Sequence, residues 1–306
     1  MKIIPKALLS QYTSFKLGGP CEFLLDCETP KELQEAVKSL STKKTKFILI
    51  GGGSNLVVSD EGVRTSVIRY VSSIPLIDRK GDDITVSAST ILDDLALFCV
   101  QEGLEGLNYT TGIPGTVGGA VVGNAGAWGK QVGDVLISAD ILDKNGNLKQ
   151  VDNSYFGFQY RHSLLKESDE IVSSVTFGLK KANPVSLAIE RSDILRKRSE
   201  KHPDLSTHPC AGSFFRNIEA TSKAERRQAA GAFLEDAGGK NLKIGGAHIF
   251  EKHANIIIKG PQCTAQDVYD LHLKMKEIVK DKFNLQLNRE VRFVGPFKGI
   301  KAEGFH

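Results

Sequence analysis

A glycine-dense stretch between residues 110 and 129, TTGIPGTVGGAVVGNAGAWG, constrains the fold of this 306-residue chain more than any other feature. Seven of its positions are glycine. Helix and strand propensities both disfavour such a composition, and a long glycine loop without a purpose is costly in conformational entropy. We therefore expect the backbone here to wrap closely around a large planar or phosphorylated ligand.

A second glycine cluster, Gly51–Gly53 followed by Ser54 and Asn55, comes directly after the hydrophobic run KFILI (46–50). Consecutive glycines allow positive φ and bring backbone N–H groups close to a ligand, which suits a pyrophosphate. The cluster is not a Rossmann fingerprint, because Leu56 stands at the last glycine position, and it is not a P-loop, because no Gly-Lys-Ser/Thr follows. A tight strand-to-strand turn is the structural alternative. Together, the two segments predict a dinucleotide held outside the Rossmann scheme, with flavin as the leading candidate.

The first half of the chain mixes helix and strand patterns. The first seventy residues predict a βαβ unit, whose helix begins at Pro30 behind the N-cap Thr29 and leads to a buried strand, KFILI. The next hundred residues predict strands, a helix that stops at Gly103, and a hairpin that turns at Asn145-Gly146.

The second half continues the mixture. A charged helix over 184–201 leads into HPDLSTHPC, which has the proline and polar content of a linker, so we place a domain boundary near residue 203. Beyond it we expect helices over 223–238 and 264–283 and strands in ANIIIKG and EVRFVG. The whole pattern predicts an α+β fold.

Composition bounds the class of protein. The length suggests two domains, and the 25% of charged residues is ordinary for a globular protein. A net charge of +4 argues against a dedicated nucleic-acid protein and fits a site for an anionic substrate. Five scattered cysteines without a pairing framework indicate reduced thiols, and no apolar run reaches bilayer length. We expect a cytoplasmic protein without membrane contact, metal site or obligate protein partner.

Seven motifs occur in an order that resembles a known family: YTSFKLGG, GGGSNLVV, GIPGTVGGAVVGNAGAWG, YRHS, AGSFFRN, GGAHIFEKHAN and LNREVRFVG. Their order is similar to that of the UDP-N-acetylenolpyruvoylglucosamine reductases, flavoenzymes of bacterial muramic acid synthesis. The resemblance covers nearly the whole chain, and its spacing is that of the shorter subgroup, which lacks an inserted tyrosine-bearing loop.

The resemblance implies a fold and a division into domains. The fold would be a vanillyl-alcohol-oxidase-type FAD-binding domain of two α+β subdomains, about 1–70 and 71–203, followed by an α+β substrate-binding domain over 204–306. The family also suggests that residues 290–306 pack back on the FAD domain.

The resemblance also implies a reaction. NADPH reduces FAD, and flavin N5 then passes hydride to the vinyl carbon of UDP-N-acetylglucosamine enolpyruvate, which leaves enolate charge and a carbon that needs a proton. Such a site requires an anchor for the substrate carboxylate and a proton donor. The flavin contacts would come from matching positions in the two glycine segments: Gly51, Gly52, Gly53, Ser54, Asn55, Leu56, Thr111, Gly112, Pro114, Gly115, Thr116, Gly118, Gly119, Asn124, Ala125 and Gly126.

Three catalytic residues follow from the same resemblance. Arg161 would bind the carboxylate, because a guanidinium offers paired donors, and Glu290 would polarise that carboxylate with it. Ser213 would give its proton to the enolate carbon, whereas a nucleophilic serine lacks the GxSxG elbow and a partner. Without the family, Arg161 would be a surface or ion-pair arginine, Glu290 a salt-bridged glutamate at a strand edge, and Ser213 a small residue that starts a strand.

Further substrate contacts are implied for the UDP-sugar: Tyr160, Arg216, Asn217, His253 and Asn255. A lone histidine such as His253 is more often structural. Four positions depart from the family pattern, namely Tyr12, His248, Ile256 and Lys259. They bear on substrate contact and not on the reaction class.

Two other functions stay open from the sequence. The first is an oxidase of another small alcohol or sugar on the same FAD fold, and it predicts rapid reoxidation of the reduced flavin by oxygen. The second is a nucleotide-binding module without catalysis, and it predicts that Arg161, Ser213 and Glu290 are dispensable. The C-terminal motifs argue against both.

Overall fold

The computed structural model describes residues 1–219 and 227–299. Six α-helices occur in these residues: α1 (Pro30–Thr42), α2 (Leu92–Gln101), α3 (Val117–Gly123), α4 (Pro184–Lys201), α5 (Ala230–Asp236) and α6 (Ala265–Phe283). The strands of the same residues are β1 (Lys2–Pro5), β2 (Phe23–Cys27), β3 (Phe47–Ile50), β4 (Leu56–Val58), β5 (Ser66–Tyr70), β6 (Ile77–Lys80), β7 (Asp83–Ser87), β8 (Leu104–Glu105), β9 (Gly126–Ala127), β10 (Lys130–Gln131), β11 (Leu136–Leu142), β12 (Leu148–Asp152), β13 (Ile171–Gly178), β14 (Lys180–Lys181), β15 (Cys210–Ser213), β16 (Lys243–Ile244), β17 (Ala247–Phe250), β18 (His253–Lys259) and β19 (Arg292–Val294).

The N-terminal sheet has the strand order β1-β2-β5-β3. Its three strands β2, β5 and β3 run parallel, and α1 is the crossover between β2 and β3. The predicted start of α1 is confirmed: Pro30 is its first residue, and the Thr29 side chain forms a capping box with Glu32. The prediction of a buried strand for KFILI is wrong. β3 is an edge strand whose Leu49 is 38% exposed, and this strand lines the cleft described below.

The second sheet is antiparallel in the order β12-β11-β13-β7-β6. The predicted hairpin is confirmed as β11 and β12, with Gly146 at φ +80° in its loop. The predicted stop of α2 is confirmed as well, because Gly103 follows the helix at φ +64°. One hydrophobic core joins this sheet to α1, α2 and α3.

The glycine-dense segment contains a helix that its composition disfavours. Thr116 caps the seven-residue α3 by accepting a hydrogen bond from the N–H of Gly119 at 3.3 Å. Burial of Val117, Ala120 and Val121 in the core outweighs the low propensity. The segment therefore contains a helix although its propensities disfavour one.

The C-terminal part folds around a sheet in the order β15-β18-β17-β16, covered by α5 and α6. Thr264 and Asp267 form the capping box that begins α6. Helix α5 begins later than predicted, at Ala230, because Gln228 pairs with Ile218 in an isolated β-bridge. Residues 223–226 of that predicted helix lie outside the described residues.

The chain ends by returning to its beginning. β19 pairs in parallel with β4, in the register Arg292↔Leu56 to Val294↔Val58. Residues 300–306 of the segment predicted to pack on the FAD domain lie outside the described part, and the domain division at residue 203 stays a prediction. None of the helices described is long and apolar enough to cross a membrane.

Candidate active site

A cleft of about 2150 Å³ lies between the two glycine segments and the start of the C-terminal part. Its walls include Arg161, Ser213 and Glu290, which are far apart in the sequence. Most of the predicted flavin contacts also line this cleft: Gly51, Gly52, Gly53, Ser54, Asn55, Leu56, Pro114, Gly115, Thr116, Gly118, Gly119, Ala125 and Gly126. The structure therefore brings together residues that the sequence analysis assigned to one site.

The two glycine segments touch each other at the cleft. A Cβ on Gly52 would lie 3.0 Å from the Cα of Gly115, and one on Gly51 would lie 2.5 Å from Oγ1 of Thr116. The hydroxyl of Ser54 donates a hydrogen bond to the carbonyl of Pro114 at 3.0 Å. Glycine is needed here because any side chain would force the two loops apart.

The first glycine loop also presents free donors. The N–H groups of Gly52, Gly53 and Ser54 have no hydrogen-bond partner among the described residues. Successive unpaired N–H groups form a concave site for an anion, and a pyrophosphate satisfies them. The donors, the glycine-lined walls and the volume of the cleft together fit FAD.

Three of the predicted flavin contacts do not line the cleft. Thr111 is buried and accepts from Arg191 at 3.1 Å, and Gly112 donates its N–H to Asp93 at 2.8 Å. Asn124 is buried with φ +43°, and its amide donates to the carbonyl of Gln159 at 2.8 Å. These three residues hold neighbouring loops in place, and their predicted contacts with flavin stay predictions.

Arg161 lies on a tight turn at the edge of the cleft. Gln159 and His162 exchange two backbone hydrogen bonds of 3.1 Å, so Tyr160 and Arg161 are the central residues of a β-turn. Nε of Arg161 lies 3.1 Å from Oε1 of Glu290, an ion pair that lacks the direction of a good hydrogen bond, since this N–H has no hydrogen-bond partner. The guanidinium thus faces Glu290 and keeps donors for a ligand.

The backbone around Glu290 joins the segment of Ser213 to the first glycine loop. The N–H of Glu290 donates to the carbonyl of Phe214 at 2.8 Å, and the carbonyl of Glu290 accepts from Nδ2 of Asn55 at 3.1 Å. Because Phe214 follows Ser213, these two bonds place Glu290 between Ser213 and the first glycine loop.

Ser213 ends β15 opposite Ile256 of β18. It is half-buried, and no hydrogen bond joins its Oγ to another residue that the structure describes. The next two residues, Phe214 and Phe215, are buried in the core, which confirms that they pack. The hydroxyl at the cleft wall is therefore held by a rigid strand and is available to a ligand.

Three cations act on the carboxylate of Glu290, namely Arg161, Lys166 and Arg216, and Arg292 acts in turn on Lys166. Burial raises the pKa of Glu290, and the charges of Arg161, Lys166 and Arg216 oppose this rise. Burial and the neighbouring arginines lower the pKa of Lys166 to about 8. The site is strongly positive, as an anionic substrate requires.

Two residues of this cleft were missed by the sequence analysis. Lys166 follows Arg161 by five positions in YRHSLLK, but nothing local distinguishes it from the other basic residues. Arg198 of α4 lines the cleft with a buried Nε that has no hydrogen-bond partner within the described residues. Only their position in the folded chain identifies them.

A smaller cavity of about 770 Å³ lies on the other side of the Arg161 turn. Tyr160 and Arg216, both predicted substrate contacts, line it together with Arg227, whose guanidinium stands 4.0 Å from the ring of Tyr160. Asn217 is exposed nearby, and its N–H donates to the hydroxyl of Tyr160 at 3.4 Å.

The other two predicted substrate contacts lie away from both cavities. The side chain of Asn255 is buried, donating to the carbonyl of Phe215 at 2.8 Å and accepting from its N–H at 3.0 Å. His253 packs against His202, with 5.7 Å between the ring centroids. Both residues support the strand of Ser213 from behind, and their contact with a substrate stays a prediction.

The four departures from the family pattern have structural contacts. Ile256 is buried and pairs with Ser213, and the ammonium of Lys259 donates to the carbonyl of Lys16 at 2.7 Å. Nδ1 of His248 lies 3.4 Å from the carbonyl of Gly246, and Tyr12 stacks under Arg69 at 5.6 Å. None of these side chains lines the described cleft.

Comparison with known proteins identifies the two parts of the chain. Residues 21–152 match the model of an FAD-binding domain family, and residues 203–294 match that of the UDP-N-acetylenolpyruvoylglucosamine reductase C-terminal domain. The fold class predicted from the sequence, α+β with an FAD-binding domain, is confirmed.

Whole-chain relatives carry the same name. The UDP-N-acetylenolpyruvoylglucosamine reductase of Caldanaerobacter subterraneus subsp. tengcongensis is 35% identical over 94% of this chain and 92% of its own length. That of Alkaliphilus oremlandii is 33% identical over 96% of both chains. The crystal structure of UDP-N-acetylenolpyruvylglucosamine reductase from Thermus caldophilus has a TM-score of 0.78, with 30% identity over 96% of this chain and 98% of its own.

Sequence, domain models and tertiary structure thus agree over nearly the full length. FAD is the cofactor and NADPH the hydride donor of this enzyme class. The chain belongs to the family of UDP-N-acetylenolpyruvoylglucosamine reductases, which are NADPH-dependent flavin oxidoreductases.

Proposed function

We propose that this enzyme reduces UDP-N-acetylglucosamine enolpyruvate to UDP-N-acetylmuramate, a step of bacterial peptidoglycan precursor synthesis. The observation that carries the proposal is the convergence of Arg161, Ser213 and Glu290 on the cleft that the two glycine segments line. A small-molecule UDP-sugar is the partner that such a cleft serves. The five cysteines are buried free thiols, which supports a cytoplasmic location.

The first demand of the reaction is to hold the enolpyruvyl carboxylate. Arg161 would bind this carboxylate through the guanidinium N–H groups that do not face Glu290. Lys166 and Arg216 add positive charge nearby. Because burial raises the pKa of Glu290, its carboxyl group carries a proton more readily than an exposed glutamate does. In that form Glu290 donates a hydrogen bond to the substrate carboxylate and stabilises the charge that develops there.

FAD, when bound in the cleft and reduced by NADPH, supplies the hydride for the vinyl carbon of the substrate. The residues that would hold it are those of the glycine segments, with the N–H groups of Gly52, Gly53 and Ser54 on its pyrophosphate. Glycine at positions 51, 52 and 115 keeps the two loops in contact there.

Ser213 supplies the proton. Its Oγ lies at the cleft wall without a hydrogen bond to another described residue, and the bond from Glu290 N–H to Phe214 fixes its strand beside the carboxylate site. A serine hydroxyl is a weak acid, so only a strongly basic carbon takes its proton, and an enolate carbon is such an acceptor. The serine stays uncharged until that carbon forms.

Anaerobic stopped-flow spectroscopy tests the proposal with the FAD-loaded enzyme. NADPH should bleach the flavin bands, and UDP-N-acetylglucosamine enolpyruvate should restore them within the turnover time. The sugar without its enolpyruvyl group is the matched control and should leave the flavin reduced. A reduced enzyme that oxygen reoxidises rapidly and that ignores the enolpyruvyl sugar would contradict the proposal in favour of an oxidase.

A further inference from the structure

The turn that carries Arg161 is strained. Arg161 has φ +56° and is the third residue of the four-residue turn 159–162, a place that favours glycine or asparagine. A left-handed conformation is unfavourable for a residue with a long side chain, because its Cβ crowds the carbonyl oxygen. Such a conformation persists only where neighbouring groups hold it.

Two side chains hold this turn. Nδ2 of Asn124 donates to the carbonyl of Gln159 at 2.8 Å, which secures the first residue. Nζ of Lys166 donates to the carbonyl of Arg161 at 2.7 Å. Within the described residues, Lys166 is the only one that hydrogen bonds to the backbone of Arg161. The carbonyl of Arg161 is therefore held by one lysine, while the N–H of His162 in the same peptide bonds back to Gln159.

The surroundings of Lys166 are unusual for a lysine with a purely structural task. Its side chain is mostly withdrawn from solvent and lines the cleft. The charged groups that face it are Arg216, Arg292, Arg161 and the carboxylate of Glu290, three positive and one negative. An uncharged donor would hold a carbonyl oxygen at lower cost, since a buried ammonium among three guanidiniums loses hydration and is repelled.

We propose that Lys166 is a positioning residue of this active site, which holds Arg161 in its left-handed turn so that the guanidinium meets both Glu290 and the substrate carboxylate. The inference rests on the proposed function. It explains why a cation occupies this place: the ammonium makes a stronger, charge-assisted bond to the carbonyl and adds to the field at the carboxylate site. With the Lys166 pKa at about 8, both effects weaken as pH rises through that value.

The test compares Lys166→Met and Lys166→Arg with Lys274→Met in the FAD-loaded enzyme. Lys274 is the control, because it is an exposed lysine of α6 that pairs with Glu277 at 2.9 Å and does not line the cleft. For Lys166→Met we expect reoxidation by the enolpyruvyl sugar to slow by about 100-fold, the size of effect that misplacement of a catalytic group produces. Reduction by NADPH should change by less than about threefold, because that step does not use the substrate carboxylate.

The pH dependence of the reoxidation rate distinguishes a positioning role of Lys166 from a purely structural one. Wild-type reoxidation should fall as pH rises through about 8, and Lys166→Met should show no such fall. Lys166→Arg should recover most of the rate at pH 7 and keep it at pH 9, because a guanidinium stays protonated. Lys274→Met should follow the wild type. An alkaline fall of equal midpoint in all four proteins would overturn the inference.

Amide hydrogen exchange measures how stably the 159–162 turn is held, independently of catalysis. Exchange at the N–H groups of Gln159 and His162 should rise in Lys166→Met and stay unchanged in Lys274→Met. Normal protection together with normal reoxidation in Lys166→Met overturns the inference. Equal loss of flavin reduction and of reoxidation, together with a lower unfolding temperature, also overturns it. Failure of the wild type itself to accept the enolpyruvyl sugar contradicts the proposed function alone, since exchange still reports whether Lys166 holds the turn.

Discussion

Nε of Arg161 lies 3.1 Å from Oε1 of Glu290, although Arg161 precedes the linker near residue 203 and Glu290 follows the C-terminal sheet. The pair forms because the end of the chain returns to β4 of the first sheet, which brings Glu290 beside the first glycine loop. The site that we propose for the substrate carboxylate therefore exists only when both parts of the chain are folded against each other.

Arg161→Lys should lower kcat/KM for the enolpyruvyl sugar by about two orders of magnitude, or about 2.7 kcal/mol of transition-state stabilisation. Lysine keeps the charge but cannot bind Glu290 and a carboxylate with separate, fixed donors. Steady-state kinetics at pH 7 measure the effect. Arg196→Lys, in an exposed pair with Glu200 on α4, should be indistinguishable from the wild type. Equal kinetics for the two variants would show that Arg161 does not bind the substrate carboxylate.

Ser213→Ala should leave flavin reduction by NADPH intact and slow reoxidation by the enolpyruvyl sugar by roughly 10²–10⁴-fold, the usual contribution of a general acid. Anaerobic single-turnover measurements separate the two half-reactions. Ser199→Ala, on the exposed side of α4, is the control. Parallel loss of both half-reactions would instead assign Ser213 a structural role.

Gly53→Ala should lower the flavin content of the purified protein by more than tenfold. A Cβ at this position would come within 2.2 Å of the carbonyl oxygen of Tyr12, so the loop with the free N–H groups must move. Gly81→Ala is the matched control, because Gly81 has nearly the same φ, +68° against +63°, with nothing within 4 Å of its added Cβ. The ratio of visible to ultraviolet absorbance measures bound flavin. Equal ratios in the two variants would contradict the proposal that the loop at Gly53 binds the flavin.

Acid should destabilise the enzyme between about pH 6.5 and pH 4. Burial lowers the pKa of His272 to about 4. Since the unfolded chain binds this proton at higher pH than the folded one, stability is complete above pH 6.5 and is lost as pH falls. This histidine contributes a slope of up to about 1.4 kcal/mol per pH unit in this window.

Urea unfolding at several pH values measures that slope. His272→Phe should reduce it, because phenylalanine fills the same aromatic cluster with Tyr269 and Phe293 and binds no proton. His208→Gln, at an exposed histidine, should leave the slope unchanged. A slope that is the same in all three proteins would show that groups other than His272 cause the loss of stability at acid pH.

Much of the local structure could be predicted from short patterns. The capping residues Thr29 and Pro30 predicted the start of α1, and Gly103 predicted the end of α2, because these residues act on the backbone next to them. Two other features depend on the rest of the fold. Helix α3 forms because its apolar face is buried, and KFILI became an edge strand because no further strand pairs beyond it in its sheet.

The candidate site was predicted unevenly. The glycine segments indicated a flavin from their own composition, since the need for glycine is a local property of the backbone. Arg161, Ser213 and Glu290 were identified by their motifs, while Lys166 and Arg198 were not, because a cation has the same local pattern at a surface as in a cleft. The side chain of Asn255, which was expected at the substrate, binds the backbone of Phe215, and its contact with a substrate stays a prediction.

The sequence by itself determined the class of this protein: an α+β flavoenzyme with two glycine segments and the motif order of one family. It could do so because glycine content, capping residues and motif spacing act through the nearest neighbours along the chain. Only the tertiary structure decided which side chains share the cleft. The return of β19 to β4 places Glu290 beside Arg161, and the strained turn at Arg161 supports the role that we propose for Lys166. Burial, ion pairing and pKa shifts depend on distances through space, and these arise only from the packing of the whole chain.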